Sequence, residues 1–327
     1  MMALLPVFIM HSFLIILIRV LALCLMICAG ALARKRGILD SGSTRCLAFL
    51  STNFIYPAAI FASLVGNFTL KGILSRWALP AGTFGIMGIG FLAGLAVMPV
   101  LRKNSLGERR MFHFQSTVNN YVFLPLPLIM HAYGNAGVGL LSLSTIGSEI
   151  AVWTFGVIAI SGGFKLKQLK NLLNMPMLAV ALSIIVLALR EYLPYTPPQG
   201  SLIADFLSTI LSTAQLFGAG TVALSMIVAG SRMMELNCQS LLKGLQLFLV
   251  FMRLLIIPAL CLGALFLLPI DQEARNILAI IAVMPCSVAS VALSDFFSAD
   301  TEIAAASVLL THLIGILTIP FWMTFLP

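Results

Sequence analysis

The strongest constraint on this fold is a series of ten apolar runs, each long enough to cross a bilayer as a helix. Crossing the hydrocarbon core takes about 20 apolar residues. Of the 327 residues 60% are hydrophobic and only 9% are charged, whereas soluble domains carry about 25% charged residues. We therefore expect an all-α integral membrane protein with ten transmembrane helices. The predicted spans are 8–33, 45–65, 77–101, 110–131, 136–161, 174–193, 202–230, 241–268, 276–296 and 302–325.

The basic residues between the spans indicate how the chain is oriented. Thirteen Lys and Arg residues fall in one set of alternate loops and four in the other. Because basic loops stay on the cytoplasmic side, we expect a multi-pass protein of a plasma or bacterial inner membrane with both termini outside. The net charge of +8 thus reports orientation, and no nucleic-acid partner is expected. The inner set is Arg34, Lys35, Arg36, Arg45, Arg102, Lys103, Arg109, Arg110, Lys165, Lys167, Lys170, Arg232 and Lys243, and the outer set is Lys71, Arg76, Arg190 and Arg275.

The ten spans divide into two halves. Residues 1–170 contain spans 1–5, and residues 171–327 contain spans 6–10. Because five is odd, the second half enters the membrane upside down relative to the first. The sequence therefore predicts two inverted repeats, an arrangement used by many transporters. The N-terminal apolar stretch is too long for the hydrophobic region of a signal peptide, so we interpret it as the first span.

Spans 4 and 9 are interrupted by prolines and polar residues at 118–127 and 282–290. Proline removes a backbone donor and clashes with the preceding turn. Within a membrane such a break is tolerated only where it is buried in protein or lines a watery cavity. A matched pair of breaks in two halves points to a transporter's substrate site. The substrate-binding residues predicted here and on neighbouring spans are Asn119, Asn120, Tyr121, Pro125, Pro285, Cys286, Ser287, Glu149 and Arg253.

The two breaks also indicate what kind of substrate fits. Each broken span would form two half-helices, and a helix N-terminus offers free N–H groups and about half a positive charge. Two such ends at one point suit a carboxylate, so we expect a small organic anion as substrate. The alternative is a pair of proline kinks whose polar groups satisfy one another. A sodium-coupled symporter of another solute, or a channel, remains an alternative function.

Three ionisable residues fall inside apolar spans: Arg19, Glu149 and Arg253. A charge at the bilayer centre costs on the order of 3 kcal/mol, so each is expected to face the protein interior. Glu149 either lines the substrate pathway or carries a coupling ion, H⁺ or Na⁺, or else it forms an ion pair with one of the arginines. Arg253 either counters a bound anion or pairs with Glu149. The sequence leaves both questions open.

No pattern in the sequence indicates catalysis. The six cysteines form no CxxC pair, and the four histidines are scattered over four spans without metal-ligand spacing. We interpret the cysteines as small buried hydrophobes and the histidines as packing residues. There is no nucleophile–base arrangement, so no enzymatic activity and no cofactor are expected.

Several short motifs resemble those of one transporter family, the auxin efflux carriers, which includes plant PIN carriers and bacterial carriers of malonate and malate. Most are spread through the first eight spans, and the most specific stretch is at the C-terminal end. The chain departs from the family at Gly220-Thr221-Val222, where Pro commonly follows Thr. The matching residues are Tyr56-Pro57-Ala58-Ala59, Asn119-Asn120, Pro125-Leu126-Pro127, Tyr133-Gly134-Asn135-Ala136-Gly137, Asn174-Met175-Pro176, Arg253, Pro258, Met284-Pro285, Asp300, Ala306-Ser307, Thr311 and Thr318-Ile319-Pro320.

This resemblance implies an architecture and a mechanism. Ten spans in a five-plus-five inverted repeat would be arranged as in the bile-acid sodium symporter fold. Spans 1, 2, 6 and 7 would form a scaffold, often a homodimer, and spans 3–5 and 8–10 a moving transport unit. The substrate would bind where broken spans 4 and 9 cross, and elevator-like alternating access would follow. The short loop after span 5 favours a bacterial-type carrier.

Overall fold

The computed structural model describes residues 5–164, 166–193, 198, 200–234, 244–297 and 299–325. Within these ranges the chain is helical and contains no strand, and its β-type contact is a single two-residue bridge. Among the described residues, seven helical segments are long and apolar enough to cross a membrane. They coincide with predicted spans 2, 3, 5, 6, 7, 8 and 10.

The three remaining predicted spans have different structures. Span 1 forms one helix, Leu5–Lys35. Spans 4 and 9 are interrupted where the prolines and amides predicted a break. The side chain of Arg19, as well as Lys165, Cys238 and Lys243, lies outside the described residues. The count of ten spans and the division at residue 170 stay predictions.

The helices of the first half follow the predicted spans closely. Span 2 is continuous because a π-helical turn, Ser51–Ile55, joins two α-helices, and span 5 is continued in the same way by Val152–Gly156. The helices are α1 Leu5–Lys35, α2 Ser41–Leu50, α3 Tyr56–Asn67, α4 Leu70–Leu74, α5 Ala78–Val97, α6 Leu106–Thr117, α7 Pro125–Tyr133, α8 Ala136–Ala151 and α9 Val157–Ser161.

The second half contains the same kinds of element. A 3₁₀ helix, Leu166–Leu172, leads into it, and a third π-helical turn, Met252–Ile256, lies inside span 8. The helices are α10 Met175–Tyr192, α11 Leu202–Gly218, α12 Thr221–Met233, α13 Gly244–Phe251, α14 Ile257–Leu267, α15 Gln272–Ala282, α16 Ser290–Phe296 and α17 Thr301–Met323.

The starts of three helices in spans 4, 9 and 10 are set by recognisable caps. Ser105 and Glu108 form a capping box at the start of α6. Asp271 caps α15, and Asp300 caps α17 by accepting the N–H of Ile303 at 2.9 Å. Asp300 therefore has the capping role expected of an acid at a helix N-terminus.

A proline accounts for one contact between spans 8 and 10. Pro258 has no N–H, so the carbonyl of Leu254 one turn earlier lacks its helical donor. The indole N–H of Trp322 on α17 donates to that carbonyl at 2.7 Å. The orphaned backbone group is thereby satisfied by a side chain from the last span.

The helices pack as two groups. One group contains α1, α2, α3, α10, α11 and α12, and the other contains α5 to α9 and α13 to α17. The groups meet chiefly where α3 lies against α8 and where α1 lies against α17. Helices within each group are the ones that the resemblance places together.

A close seam joins α1 and α12 in the first group. A Cβ on Gly230 would overlap the carbonyl oxygen of Ile27, and a Cβ on Gly30 would overlap that of Ile227. Small residues let membrane helices approach to backbone contact, where dispersion supplies much of the attraction. The two glycines therefore bring the first span against the seventh.

Cysteine burial differs from the prediction at several positions. Cys261 and Cys286 are buried as expected, but Cys28 and Cys46 are exposed and Cys24 is only partly buried. An exposed cysteine on a membrane helix can face lipid, which is itself apolar. The sequence pattern marked these residues as apolar without showing which face of the helix they occupy.

Candidate functional site

The two broken spans meet at their interruptions. The segment between α6 and α7 runs antiparallel to the segment between α15 and α16, and Asn119 lies opposite Cys286 in a β-bridge. The N–H of Asn120 donates to the carbonyl of Pro285 at 2.8 Å, and the N–H of Ser287 donates back to the first segment at 3.3 Å. Main-chain hydrogen bonds thus join the two segments, which we call the crossing.

Asn119 and Cys286 lie inside the protein at the centre of the crossing. Both are fully buried. The Asn119 amide N–H donates to the carbonyl of Ile281, near the end of α15, at 2.5 Å. The N–H of Cys286 donates to the hydroxyl of Thr311 on α17 at 3.3 Å. These contacts fix the crossing against neighbouring elements.

Asn120 uses both ends of its amide. Its Oδ1 accepts the N–H groups of Phe123 at 3.2 Å and Leu124 at 3.4 Å. Its Nδ2 lies 3.1 Å from Nε2 of His312. Nδ1 of His312 lies 2.7 Å from the carbonyl of Val308 and must donate to it, so Nε2 of the neutral ring accepts from Asn120.

The start of α7 differs from the expectation of a helix end with free N–H groups. Pro125 and Pro127 have no N–H, and the N–H groups just before them are taken by the Asn120 side chain. The available donors lie instead in the extended parts of the crossing. Within the described part of the chain, the N–H groups of Tyr121, Val122, Val288 and Ala289 make no hydrogen bond.

The crossing is enclosed on one side and open on the other. Asn120, Pro125, Pro285 and Ser287 are buried, whereas residues 121–123 and Val288 are partly exposed and Ala289 is exposed. Two cavities, of about 320 and 580 Å³, lie elsewhere, on the surface of α11 and near the end of α10. The candidate site is therefore identified by the geometry of the crossing and not by the volume of a cavity.

Glu149 is connected to the crossing through Tyr121. The phenol of Tyr121 donates to Oε1 of Glu149 at 2.9 Å, and Oε2 accepts from the Trp153 indole at 3.3 Å and the Asn174 amide at 3.0 Å. All three partners are neutral donors. The ion pair with Arg253 that the sequence left open is not formed. Two other polar residues of the same helix, Ser142 and Thr145, donate to carbonyls of that helix.

Arg253 lies behind the crossing. Its side chain is fully buried in the π-helical turn of span 8. Its Nε donates to the carbonyl of Met284 at 3.2 Å, and its Nη1 donates to the carbonyl of Ser116 at 3.0 Å. The guanidinium therefore contacts the backbone of both broken spans.

Comparison with known proteins identifies the kind of protein that contains this crossing. The profile of a family described as membrane transport protein matches residues 15–323. This chain belongs to the auxin efflux carrier family of membrane transport proteins. It is also 24% identical over 312 residues to an uncharacterized transporter of Methanocaldococcus jannaschii, covering 93% of this chain and 96% of that protein.

The family assignment establishes the coarse function. As a member of the auxin efflux carrier family with several apolar helices, the protein is a multi-pass membrane transporter. Both comparisons point to transport and not to catalysis. No group of three or more His, Cys, Asp or Glu residues in the described ranges could hold a metal ion.

The structure adds residues that the sequence did not place at the site of this carrier. His312, Trp153 and Asn174 contact Asn120 or Glu149. Asn174 was recognised only as part of a motif, although as an amide at a helix start it also caps α10 through the N–H of Met177. His312 had no local signal, because its partner lies in another half of the chain.

Proposed function

We propose that this carrier is a secondary transporter of small organic anions, namely carboxylates, with its substrate site at the crossing of spans 4 and 9. The observation that carries the proposal is the antiparallel pairing of two unwound segments within two broken apolar spans. Irregular backbone at membrane depth is tolerated where it is buried in protein or lines a cavity. The crossing is buried on one face and exposed on the other, as a substrate site requires.

The free donors of the crossing support an anionic substrate. Four backbone N–H groups, two from each segment, are without a partner in the described residues. A carboxylate has two oxygens with about four lone-pair sites, so it can accept from both segments at once. Hydrogen bonds to a charged acceptor are about twice as strong as neutral ones. The partly exposed side chains at 121–123 and 288–289 would then contact the rest of the substrate.

The packing of the helices supports movement of one group against the other. We propose that α5 to α9 and α13 to α17 move as the transport unit while the other group stays fixed as the scaffold. The crossing lies entirely in the moving group. Few hydrogen bonds join the groups near it, and one of them is the bond from Asn174 to Glu149. Translation of the unit would therefore carry the site with it and would require this bond to break.

We further propose that Glu149 carries the coupling ion and that this ion is H⁺. Three donors already point at the carboxylate oxygens. About one of the four lone-pair sites is then left free, which suits a proton better than a Na⁺ ion. Protonation removes the negative charge, and hydrogen bonds to a charged acceptor are about twice as strong as neutral ones, so it would weaken the bond from Asn174. Breaking the bond to Asn174 would release the transport unit from the scaffold. The Tyr56 phenol is a further titratable group close enough to interact electrostatically with Glu149.

Uptake into proteoliposomes tests the function. A panel of labelled mono- and dicarboxylates is offered to purified protein while pH, Na⁺ and voltage gradients are imposed separately. Wild-type protein should give saturable uptake of at least one acid. Asn120→Ala should abolish it, because the substitution removes both the acceptor for the two N–H groups that precede α7 and the contact to His312. Asn104→Ala is the matched control, since Asn104 lies in the loop before α6 and its amide donates to Glu108, away from the crossing.

Two results would contradict the proposal. If no acid enters above the level of empty liposomes, the substrate is not an organic anion. If flux is not saturable and shows no trans-stimulation, the crossing lines a channel. Normal uptake by Asn120→Ala would remove this residue from the site.

A further inference from the structure

In each of the two broken spans, the helix before the break ends next to the side chain of Arg253. The last four carbonyls of a helix have no intrahelical donor, and the C-terminus carries about half a negative charge. Ser116 lies in the last turn of α6, and Met284 lies two residues past the end of α15. The carbonyls of both residues accept from the single guanidinium of Arg253.

Among the described residues, Arg253 has no acidic partner to balance its charge. Its contacts within the described residues are these two carbonyls, and Nη2 is buried without a hydrogen bond. The residue is fully buried and lies on a membrane span. A buried charge without compensation is strongly unfavourable. The two negative half-helix ends are therefore the groups that make a cation acceptable here.

We propose that Arg253 is a tethered cation that holds the C-terminal ends of the two half-helices together and so positions the crossing. It is a positioning residue and does not contact the substrate, because it lies on the enclosed side of the crossing. Its guanidinium occupies the place between the two half-helix ends that would otherwise attract a free monovalent cation. The proposal concerns the assembly of the crossing and does not depend on which solute is carried.

Thermal unfolding of the full-length protein in detergent tests this role without any substrate. Arg253→Ala should lower the unfolding temperature by several degrees, and Arg253→Lys should fall between Arg253→Ala and wild type. Methylguanidinium at about 10 mM should restore much of the loss in Arg253→Ala by binding in the vacated space. The same compound should not shift the unfolding temperature of wild type.

Arg275→Ala is the matched control. Arg275 also donates to two backbone carbonyls, those of Leu268 and Ile270, but it is only partly buried, at the start of α15. Its loss should have little effect, and methylguanidinium should not stabilise that variant.

Arg253→Met keeps the proposal testable if Arg253→Ala does not fold. A buried charge replaced by an apolar side chain of similar length is often neutral or stabilising when the charge has no positioning role. Arg253→Met at least as stable as wild type would overturn the proposal. So would Arg253→Lys no better than Arg253→Ala, or an Arg253→Ala variant that methylguanidinium does not stabilise. Folded Arg253→Lys beside unfolded Arg253→Ala and Arg253→Met would support it.

Discussion

Asn120 shows how one side chain can order a break in a membrane helix. Its Oδ1 accepts two N–H groups that precede α7, and its Nδ2 donates to His312. An uncompensated polar group in the bilayer core costs several kcal/mol. The amide therefore supplies an acceptor for two N–H groups that the break in the helix leaves without one.

The sequence could identify Asn120 but not the residue that orients it. An amide beside two prolines in an apolar run is a local signal. His312 lies on the last span, 192 residues away, and its own surroundings are those of an ordinary membrane helix. The same holds for Arg253, for which the sequence offered an anion or Glu149 as partners. Neither prediction had Arg253 binding backbone carbonyls, because the positions of these carbonyls depend on where two helices end in space.

Glu149→Gln is expected to abolish the pH dependence of uptake. The amide cannot gain or lose a proton, and it resembles the protonated acid in charge and shape. Uptake driven by a pH gradient should fall to the level seen without a gradient, while exchange of internal for external substrate should continue. Transport assays at several pH values with equal substrate would measure this.

Glu108→Gln serves as the control for that prediction. Glu108 accepts the N–H of Ser105 in a capping box on the exposed start of α6, so its loss should not alter the pH profile. If Glu149→Gln keeps the wild-type profile, the proton is carried elsewhere. If it yields no folded protein, Glu149 has a structural role instead.

At the scale of helices, the apolar runs predict where the spans lie, but they predict only some of the irregular turns inside the spans. The prolines at 125 and 285 marked the breaks in spans 4 and 9: α7 begins at Pro125, and α15 ends at Ala282, just before Pro285. The π-helical turns at Ser51–Ile55, Val152–Gly156 and Met252–Ile256 left no such mark. A π-turn needs one additional residue per turn and not a special residue type, so composition does not reveal it. Such turns are frequent at functional sites, and those of spans 5 and 8 contain Trp153 and Arg253.

Gly230→Ala is expected to destabilise the α1–α12 seam. The new methyl group would overlap the carbonyl oxygen of Ile27, so the two helices must separate. Overpacking of this kind costs about 1–3 kcal/mol. Thermal unfolding in detergent should show a lower unfolding temperature for this variant.

Gly263→Ala provides the matched comparison for the seam. A Cβ at Gly263 in α14 would meet nothing within 4 Å, and alanine favours the helix over glycine by about 1 kcal/mol. This variant should be as stable as wild type or slightly more so. Equal unfolding temperatures for the two variants would show that the seam tolerates an added methyl group.

At the scale of the whole molecule, the chain is a helical transporter whose broken spans come together. The family comparison and the apolar helices support the prediction of a helical membrane transporter. The contact between the two interruptions is a feature of the structure. The sequence could not show which helices lie side by side, since that depends on packing contacts such as those of Gly30 and Gly230. The direction of the chain across the membrane also stays a prediction, because it rests on the bias of Lys and Arg between loops.

Cysteine labelling tests that direction. Single cysteines at Gly37 and Lys167 should react with impermeant thiol reagents only from the inside, since both positions lie in loops of the basic set. A cysteine at Lys71 should react only from the outside. The measurement uses intact cells and inverted vesicles of a variant whose native cysteines have been replaced. Labelling of Gly37→Cys from the outside would reverse the proposed orientation.

The hydrogen bonds that join the two segments of the crossing are formed by the main chain. Every residue type except proline can donate such a bond. Relatives can therefore change the side chains at positions 121–123 and 288–289 without losing the junction. The main-chain junction can thus persist while the side chains around it change. New solute preferences can evolve by substitution at these few positions.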